Sequence, residues 1–277
     1  MKKKFPSEMK WGMVILISYV VWACTWIIYS HFIKGSIYLP YRPQLNMEYE
    51  LLKPFSPGMM LGADVMGRSI VEMLSAGLAY SLGISIVVTS LTVALGVGMG
   101  YLAVTSGKWT KYFFDLVINI VFIFPGILIA IMVMAVSGQS VTGLIFAMTL
   151  TGWTGYAKIA RGETKRILGL SYVESARALG ISELRLFFKI ILPSIFPVMM
   201  VNMVLGISGV IISEAALGFL GLGASPYSWG AMLSNAKTVL LEAPHVAIIL
   251  SLALAGLVIG LNLLGDGLRD YLDPKTL

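Results

Sequence analysis

Long runs of sequence without a single Asp, Glu, Lys or Arg decide what this chain can fold into. A bilayer core about 30 Å thick is crossed by about 20 apolar residues in helical form. Trp11–Ile33 is such a run of 23 residues, and Met73–Gly107 is one of 35 whose most apolar part is Ser81–Val104. Leu116–Ala157 runs for 42 residues, Ile190–Ser213 for 24 and Ala243–Gly265 for 23. The 42-residue run is long enough for two crossings. Ser137-Gly138-Gln139-Ser140 at its middle reads as a turn, so a helical hairpin is expected there. Six spans follow, and with them an all-α integral membrane protein. Composition agrees: only 12% of the 277 residues are charged and 57% are hydrophobic, against roughly 25% charged in soluble domains.

Orientation follows from the basic residues, which favour the inner side of a membrane. With the N-terminus inside, residues 1–10, 105–113, 158–195 and 266–277 are cytoplasmic and hold 15 of the 20 Lys and Arg. The other five are Lys34, Arg42, Lys53, Arg68 and Lys237. The net charge of +6 is therefore spread over membrane-flanking loops and is no sign of nucleic-acid binding. Met1-Lys2-Lys3-Lys4 ahead of an apolar run looks like the start of a signal peptide, but the run spans a full bilayer and no small-x-small cleavage site follows. An uncleaved first span is expected. The chain divides into residues 1–34 (tail and first span), 35–80 (an outward-facing loop) and 81–277 (a core of five spans with the cytoplasmic loop 158–195). Gly96, Gly98 and Gly100 in the second span are expected contact points between helices, as small residues are in bilayers.

No hydrolytic chemistry is visible. The phosphate-binding pattern G-x-x-x-x-G-K-[S/T] is absent, and Val136-Ser137-Gly138-Gln139, which faintly resembles an ATPase signature loop, lies in an outer turn. The single cysteine, Cys24, has no partner for an internal disulfide, and His31 and His245 are too far apart in sequence for a local metal motif. Neither catalytic residues nor a metal site is expected.

The segment between the fourth and fifth spans is unusually well specified. Tyr172–Leu179 is composed of good helix formers, and Gly180 suits the left-handed residue that ends a helix. Ser182 suits the cap of a second helix, Glu183 its first turn, and Pro193 marks the approach to the fifth span. A rigid helix–turn–helix elbow is expected, with Ser175, Ala176 and Ala178 letting another protein approach its backbone. An ordinary amphipathic connector is the plainer reading, and from the residues alone docking is only modestly ahead of it.

Resemblance adds weight. Glu174, Ala176, Gly180, Ile190, Leu192 and Pro193 stand at the spacing of the E-A-A-x3-G-x9-I-x-L-P loop of binding-protein-dependent ABC importer permeases, with Ser175 for the middle alanine. Further blocks resemble the C-type permease of the oligopeptide/dipeptide/nickel branch: Leu61-Gly62-Ala63-Asp64-Val65-Met66-Gly67-Arg68-Ser69, Glu214–Gly223 followed by Trp229-Gly230, and Asn262–Pro274. Ala63, Ser69 and Met59-Met60 depart from that branch's usual residues, and 31–58 show no match. The resemblance implies a type I (MetI-like) permease fold and import of short peptides or a related small solute. Nickel or another metal chelate is the alternative cargo. It further implies a second, homologous permease in a heterodimer, two cytoplasmic ATPases that use ATP and Mg, an extracytoplasmic solute-binding protein, and a bacterial cytoplasmic membrane with both termini inside. This chain itself would bind no cofactor. An ATPase-independent channel or carrier, or a scaffold recruiting a cytoplasmic protein, are the rival classes.

Polar groups inside the spans complete the candidates. Asp115 reads as an interfacial carboxylate offset by Lys111, and Pro125-Gly126 as a kink in the third span. Glu214 either lines the solute path or ties its span to a neighbour, with the second slightly favoured by Gly218, Gly221 and Gly223 nearby. Asn119, Asn202 and Ser208 face a central cavity or bond between helices. Met199, Met200 and Met203 read as flexible packing or a permissive wall rather than a soft-metal path. Asp266, Arg269, Asp270 and Asp273 share one helical face, which is expected to touch the ATPase.

Overall fold

A computed structural model of the chain describes residues 5–33 and 45–272. Lys2, Lys3, Lys4, Lys34, Arg42, Asp273 and Pro274 lie outside them. Among the described residues ten α-helices follow in order: α1 (Ser7–Ile28), α2 (Ile70–Thr105), α3 (Lys108–Ile123), α4 (Gly126–Ser137), α5 (Val141–Leu168), α6 (Ser171–Ala178), α7 (Glu183–Leu186), α8 (Leu192–Phe219), α9 (Trp229–Thr238) and α10 (Pro244–Leu272).

Helices α1, α2 and α10, and the continuous stretch Glu183–Phe219 that contains α7 and α8, are each long and apolar enough to cross a membrane. The third span is more than kinked. It breaks into α3 and α4, bent by 85°. Pro125 has no N–H to continue the helix, and it holds Phe124 in an extended conformation (φ −80°, ψ 133°). Counted as one span, the pair is the fifth crossing. Helix α5 completes the six by length, about 42 Å for 28 residues, although Lys158, Arg161, Glu163, Lys165 and Arg166 make its second half polar. The hairpin turn sits at 137–140: Gly138 has φ +78°, and Ser140 Oγ accepts from Gly143 N at 3.1 Å.

Helix α2 is the axis of the bundle. Gly96 and Gly100 lie against α5, where a Cβ on Gly96 would stand 2.5 Å from Tyr156 Cβ and one on Gly100 would stand 2.6 Å from Ala157 O. Gly98 points into open space, so only two of the three glycines expected at contacts serve there. Along α10, Gly260 and Gly267 receive Ile15 and Met9 of α1, and Tyr19 donates to Ala253 O at 2.7 Å. The first span is thus fastened to the last.

Helix α2 begins at Ile70, inside the segment expected to be loop, and the region after the fifth span contains helix α9 rather than loop alone. Trp229, with none of its surface exposed, lies over Gly77 of α2 and donates from Nε1 to Leu74 O at 3.0 Å. This end of the bundle also carries the 45–69 segment. There Asp64 accepts from the Met66 and Arg68 backbone N–H groups, both at 2.9 Å, and pairs with the Arg68 guanidinium at 2.6 Å. The start of α1, the end of α10 and the elbow of α6–α7 lie at the opposite end, as shown by Met9 against Gly267 and by Pro197 beside Arg269 and Leu272.

Candidate functional site

The elbow is built as its residues suggest. Helix α6 closes with Gly180 at φ +78°, Gly180 N bonding to Arg177 O at 2.9 Å and Ile181 N to Ala176 O at 3.3 Å. That pair of bonds satisfies the last carbonyls of the helix and reverses the chain. Val173, Leu186 and Ile191 are fully buried beneath the elbow with Val97, Ala160, Ile167 and Ile195, and Ile190 and Leu192 pack against that cluster. On the other side Tyr172, Leu179 and Leu184 are exposed, as are Glu174, Ser175, Gly180 and Pro193, while Ala176 is half-buried. The elbow is thus held from below by three buried apolar anchors and presents apolar side chains outward, the kind of exposed patch that marks an interaction site.

Two details differ from expectation. Ser182 occupies the N-cap position of α7, but its hydroxyl makes no cap bond. Glu183 stands in the first turn of α7 as expected, and it also accepts from Arg177 Nη2 at 3.0 Å and from Tyr101 OH at 3.1 Å. Tyr101 sits in the last turns of α2, 82 residues before Glu183, so nothing in the local sequence announces this tie. The helix also widens to a π-turn over Phe187–Ile191. Pro193 follows at once and has no N–H for the Lys189 carbonyl, and a widened turn is one way to accommodate such a gap.

The polar residues of the spans separate into different settings. Asp115 pairs with Arg161 of α5, Nη2 to Oδ2 at 2.9 Å, rather than with Lys111. Sequence proximity suggested the lysine, whereas packing of α3 on α5 supplies the arginine. Glu214 is only 2% exposed. Its Oε2 accepts from Ser81 of α2 at 3.2 Å, so the residue joins α8 to α2. Ser208 Oγ shares its one proton between Leu205 O at 2.7 Å and Asn262 Oδ1 of α10 at 2.9 Å. Asn202 bonds to Val198 O at 2.8 Å, and lines a cavity of about 480 Å³ near the elbow end together with Pro197 and Arg269. Asn119 and Pro125 are exposed on α3 and at the break. Asp266, Arg269 and Asp270 share an exposed face of α10.

These candidate path residues do not converge. A different set does: α2, α4, α5 and α8 enclose a cavity of about 440 Å³, open on one side. Gly126, just after the break at Pro125, Gly152, Gly206 and Gly209 form much of its wall, with Thr92, Thr151, Tyr156 and Ser213 among the remainder. The sequence signal for it is glycine placement: Gly152 of α5 faces Thr92 of α2, and Gly206 of α8 faces Tyr156 of α5.

Residues 92–277 match the family described as binding-protein-dependent transport system inner membrane component. The chain is 37% identical over 240 residues to the glutathione transport system permease protein GsiD of Pectobacterium atrosepticum, covering 86% of this chain and 80% of that protein. It is 35% identical to GsiD of Escherichia coli O6:K15:H31, covering 85% and 79%. Among solved structures, a chain of the MetNI methionine ABC transporter in an inward-facing conformation superposes with a TM-score of 0.60 at 18% identity, covering 73% of this chain and 97% of that one. A chain of an amino acid ABC transporter does so with a TM-score of 0.52 at 16% identity, covering 72% and 94%.

Proposed function

The chain belongs to the binding-protein-dependent transport system inner membrane components, as a multi-pass permease subunit of an ABC importer, and from that membership we propose that its solute is a short peptide or a peptide-like molecule such as glutathione. The support for the solute is the identity to two glutathione permeases over most of the chain. Two partner ATPases, using ATP and Mg, seat the elbow of Glu174, Ser175, Ala176, Gly180, Ile190, Leu192 and Pro193. A second, homologous permease faces this one, and a binding protein delivers solute from outside. Both termini and the elbow are cytoplasmic, a reading supported by the basic residues and by their common end of the bundle.

The observation that carries the mechanism is the anchoring of the elbow. Val173, Leu186 and Ile191 are buried under it while Tyr172, Leu179 and Leu184 stand free above. When the ATPases close on ATP, a body of that kind transmits displacement to α5 and α8 instead of bending. Work is transmitted only because the ATPase binds the two permease states with different affinity. This chain hydrolyses nothing in the cycle.

The test is reconstitution of the permease pair with its ATPases in proteoliposomes, with the binding protein and radiolabelled glutathione or dipeptide. Uptake that requires ATP, the binding protein and both permeases is the expected result. Uptake by this chain without an ATPase, or a complex whose ATP hydrolysis ignores peptide-loaded binding protein, overturns the reading.

A further inference from the structure

We propose that the glycine-walled cavity between α2, α4, α5 and α8 is a solute-binding compartment that recognises the peptide backbone and is indifferent to side-chain charge. The proposal rests on the peptide reading above and deepens it.

None of the residues lining the cavity is charged. Its hydroxyls are already committed as donors: Thr92 Oγ1 to Val88 O and Thr89 O, both at 2.9 Å, Ser213 Oγ to Gly209 O at 2.8 Å, and Thr151 Oγ1 to Ala147 O at 3.3 Å. A hydroxyl has one proton and two lone pairs. With the proton spent on their own helix, the Thr151 and Ser213 oxygens have acceptor capacity left, Thr92 being only 2% exposed, and the complementary groups on a solute are N–H donors. A peptide supplies these at every residue, whatever its side chains. The absence of wall charges means that neither acidic nor basic side chains are paired or repelled, and the open side lets them keep their water. At about 440 Å³ the cavity is near the lower end of the range for small-molecule sites, roughly 300–1,000 Å³. It suits a solute of a few residues and not a long oligopeptide.

The glycines do separate jobs. A Cβ on Gly206 would collide with the Tyr156 hydroxyl, so Gly206 serves the packing of α8 on α5. A Cβ on Gly209 would meet nothing within 4 Å, so Gly209 serves the empty space. Gly209→Leu therefore places its Cβ without a clash and directs bulk into the compartment, and Gly98→Leu, whose Cβ is also unobstructed but lies away from the cavity, is its control.

The experiment uses the full transporter in proteoliposomes with dipeptides and tripeptides carrying Lys, Ala or Glu side chains, delivered at saturating binding protein. In a Cys24→Ser background, Gly209→Cys also gives this chain a single thiol, whose maleimide labelling on the separated subunit is followed with and without dipeptide. The expected results are similar transport of the three charge types and slower labelling in the presence of dipeptide. Gly209→Leu is expected to lower tripeptide uptake about tenfold and dipeptide uptake less, with Gly98→Leu unchanged. Normal tripeptide uptake by Gly209→Leu, or labelling of Gly209→Cys that ignores dipeptide while the unmodified transporter moves it, overturns the compartment and leaves the peptide reading intact. A transporter that moves no peptide overturns both.

Discussion

The hydroxyl of Tyr101, near the end of α2, donates to the Glu183 carboxylate at 3.1 Å, and Arg177 of α6 reaches the same oxygen at 3.0 Å. One carboxylate thereby gathers the two limbs of the elbow and the axial helix of the bundle. The tie is polar and exposed, so it contributes little to stability and its interest is mechanical. Tyr101→Phe removes the α2 connection and leaves the ring packed on Phe187, 4.5 Å away between centroids. A single bond of this kind has a net contribution of about 0.5–1.5 kcal/mol. The expected outcome is normal membrane level and basal ATP hydrolysis, with stimulation by loaded binding protein reduced about two- to tenfold. Unchanged stimulation would show that the tie carries no motion.

Gly180 gives a separate handle on the same elbow. Its φ of +78° costs a residue with a Cβ roughly 1–2 kcal/mol, and no atom lies within 4 Å of where that Cβ would be. The penalty of Gly180→Val is therefore purely backbone, and it falls on the turn rather than on packing. Uptake is expected to drop about five- to thirtyfold, the factor that this energy represents, at unchanged protein level. Gly180→Asn, which tolerates the left-handed conformation, is expected to retain most uptake. Equal uptake by the valine variant refutes the need for this turn.

How much of this could be read in advance depended on the range of the interaction. The spans follow from charge-free runs, and the turn at Gly138 and the reversal at Gly180 follow from local backbone preference. Each needs only a few neighbouring residues. Asp115 was assigned to Lys111, four residues away, because the true partner, Arg161, is brought up by the packing of α3 on α5. Helix α9 stayed hidden because its anchor, Trp229, has meaning only against Gly77, 152 residues earlier. The break at Pro125 was visible as a kink, but an 85° bend is fixed by how α4 packs on α5 and not by the proline alone. The cavity is hidden for the same reason: α4, α5 and α8 contribute one or two glycines each and α2 contributes Val88 and Thr92, and no stretch of sequence contains the set.

The contrast between Gly96 and Gly98 tests the packing of α2 on α5. An added Cβ at Gly96 would meet Tyr156 Cβ at 2.5 Å, Trp153 O at 2.8 Å and Ala157 N at 3.0 Å, most of it backbone that cannot swing away. Gly96→Ala is expected to destabilise by about 1–3 kcal/mol. Gly98→Ala meets nothing and removes a flexible residue from a helix interior, which is worth about 0.5–1 kcal/mol. Thermal unfolding in detergent should therefore move in opposite directions for two glycines only two positions apart. Parallel shifts would mean that the close contact between the helices is wrongly placed.

The Asp64–Arg68 pair offers the sharpest test of the 45–69 segment. Asp64 is 5% exposed and Arg68 3%, and the carboxylate takes two backbone N–H bonds as well as the guanidinium. The backbone around them is cross-linked: Leu51 N bonds to Asp64 O at 3.1 Å, Ala63 N to Leu52 O at 3.0 Å and Ile70 N to Gly62 O at 3.1 Å. Arg68→Met leaves a buried carboxylate without its cation, a loss of about 3–5 kcal/mol. A lower membrane level and a lowered unfolding midpoint are the expected results. Asp64→Asn added to Arg68→Met removes the stranded charge while keeping an oxygen for the Met66 and Arg68 N–H groups, so it should recover part of the loss. If the double variant is no better than Arg68→Met, the damage comes from lost packing of the arginine stem, and the ion pair is not what holds residues 45–69 against the start of α2.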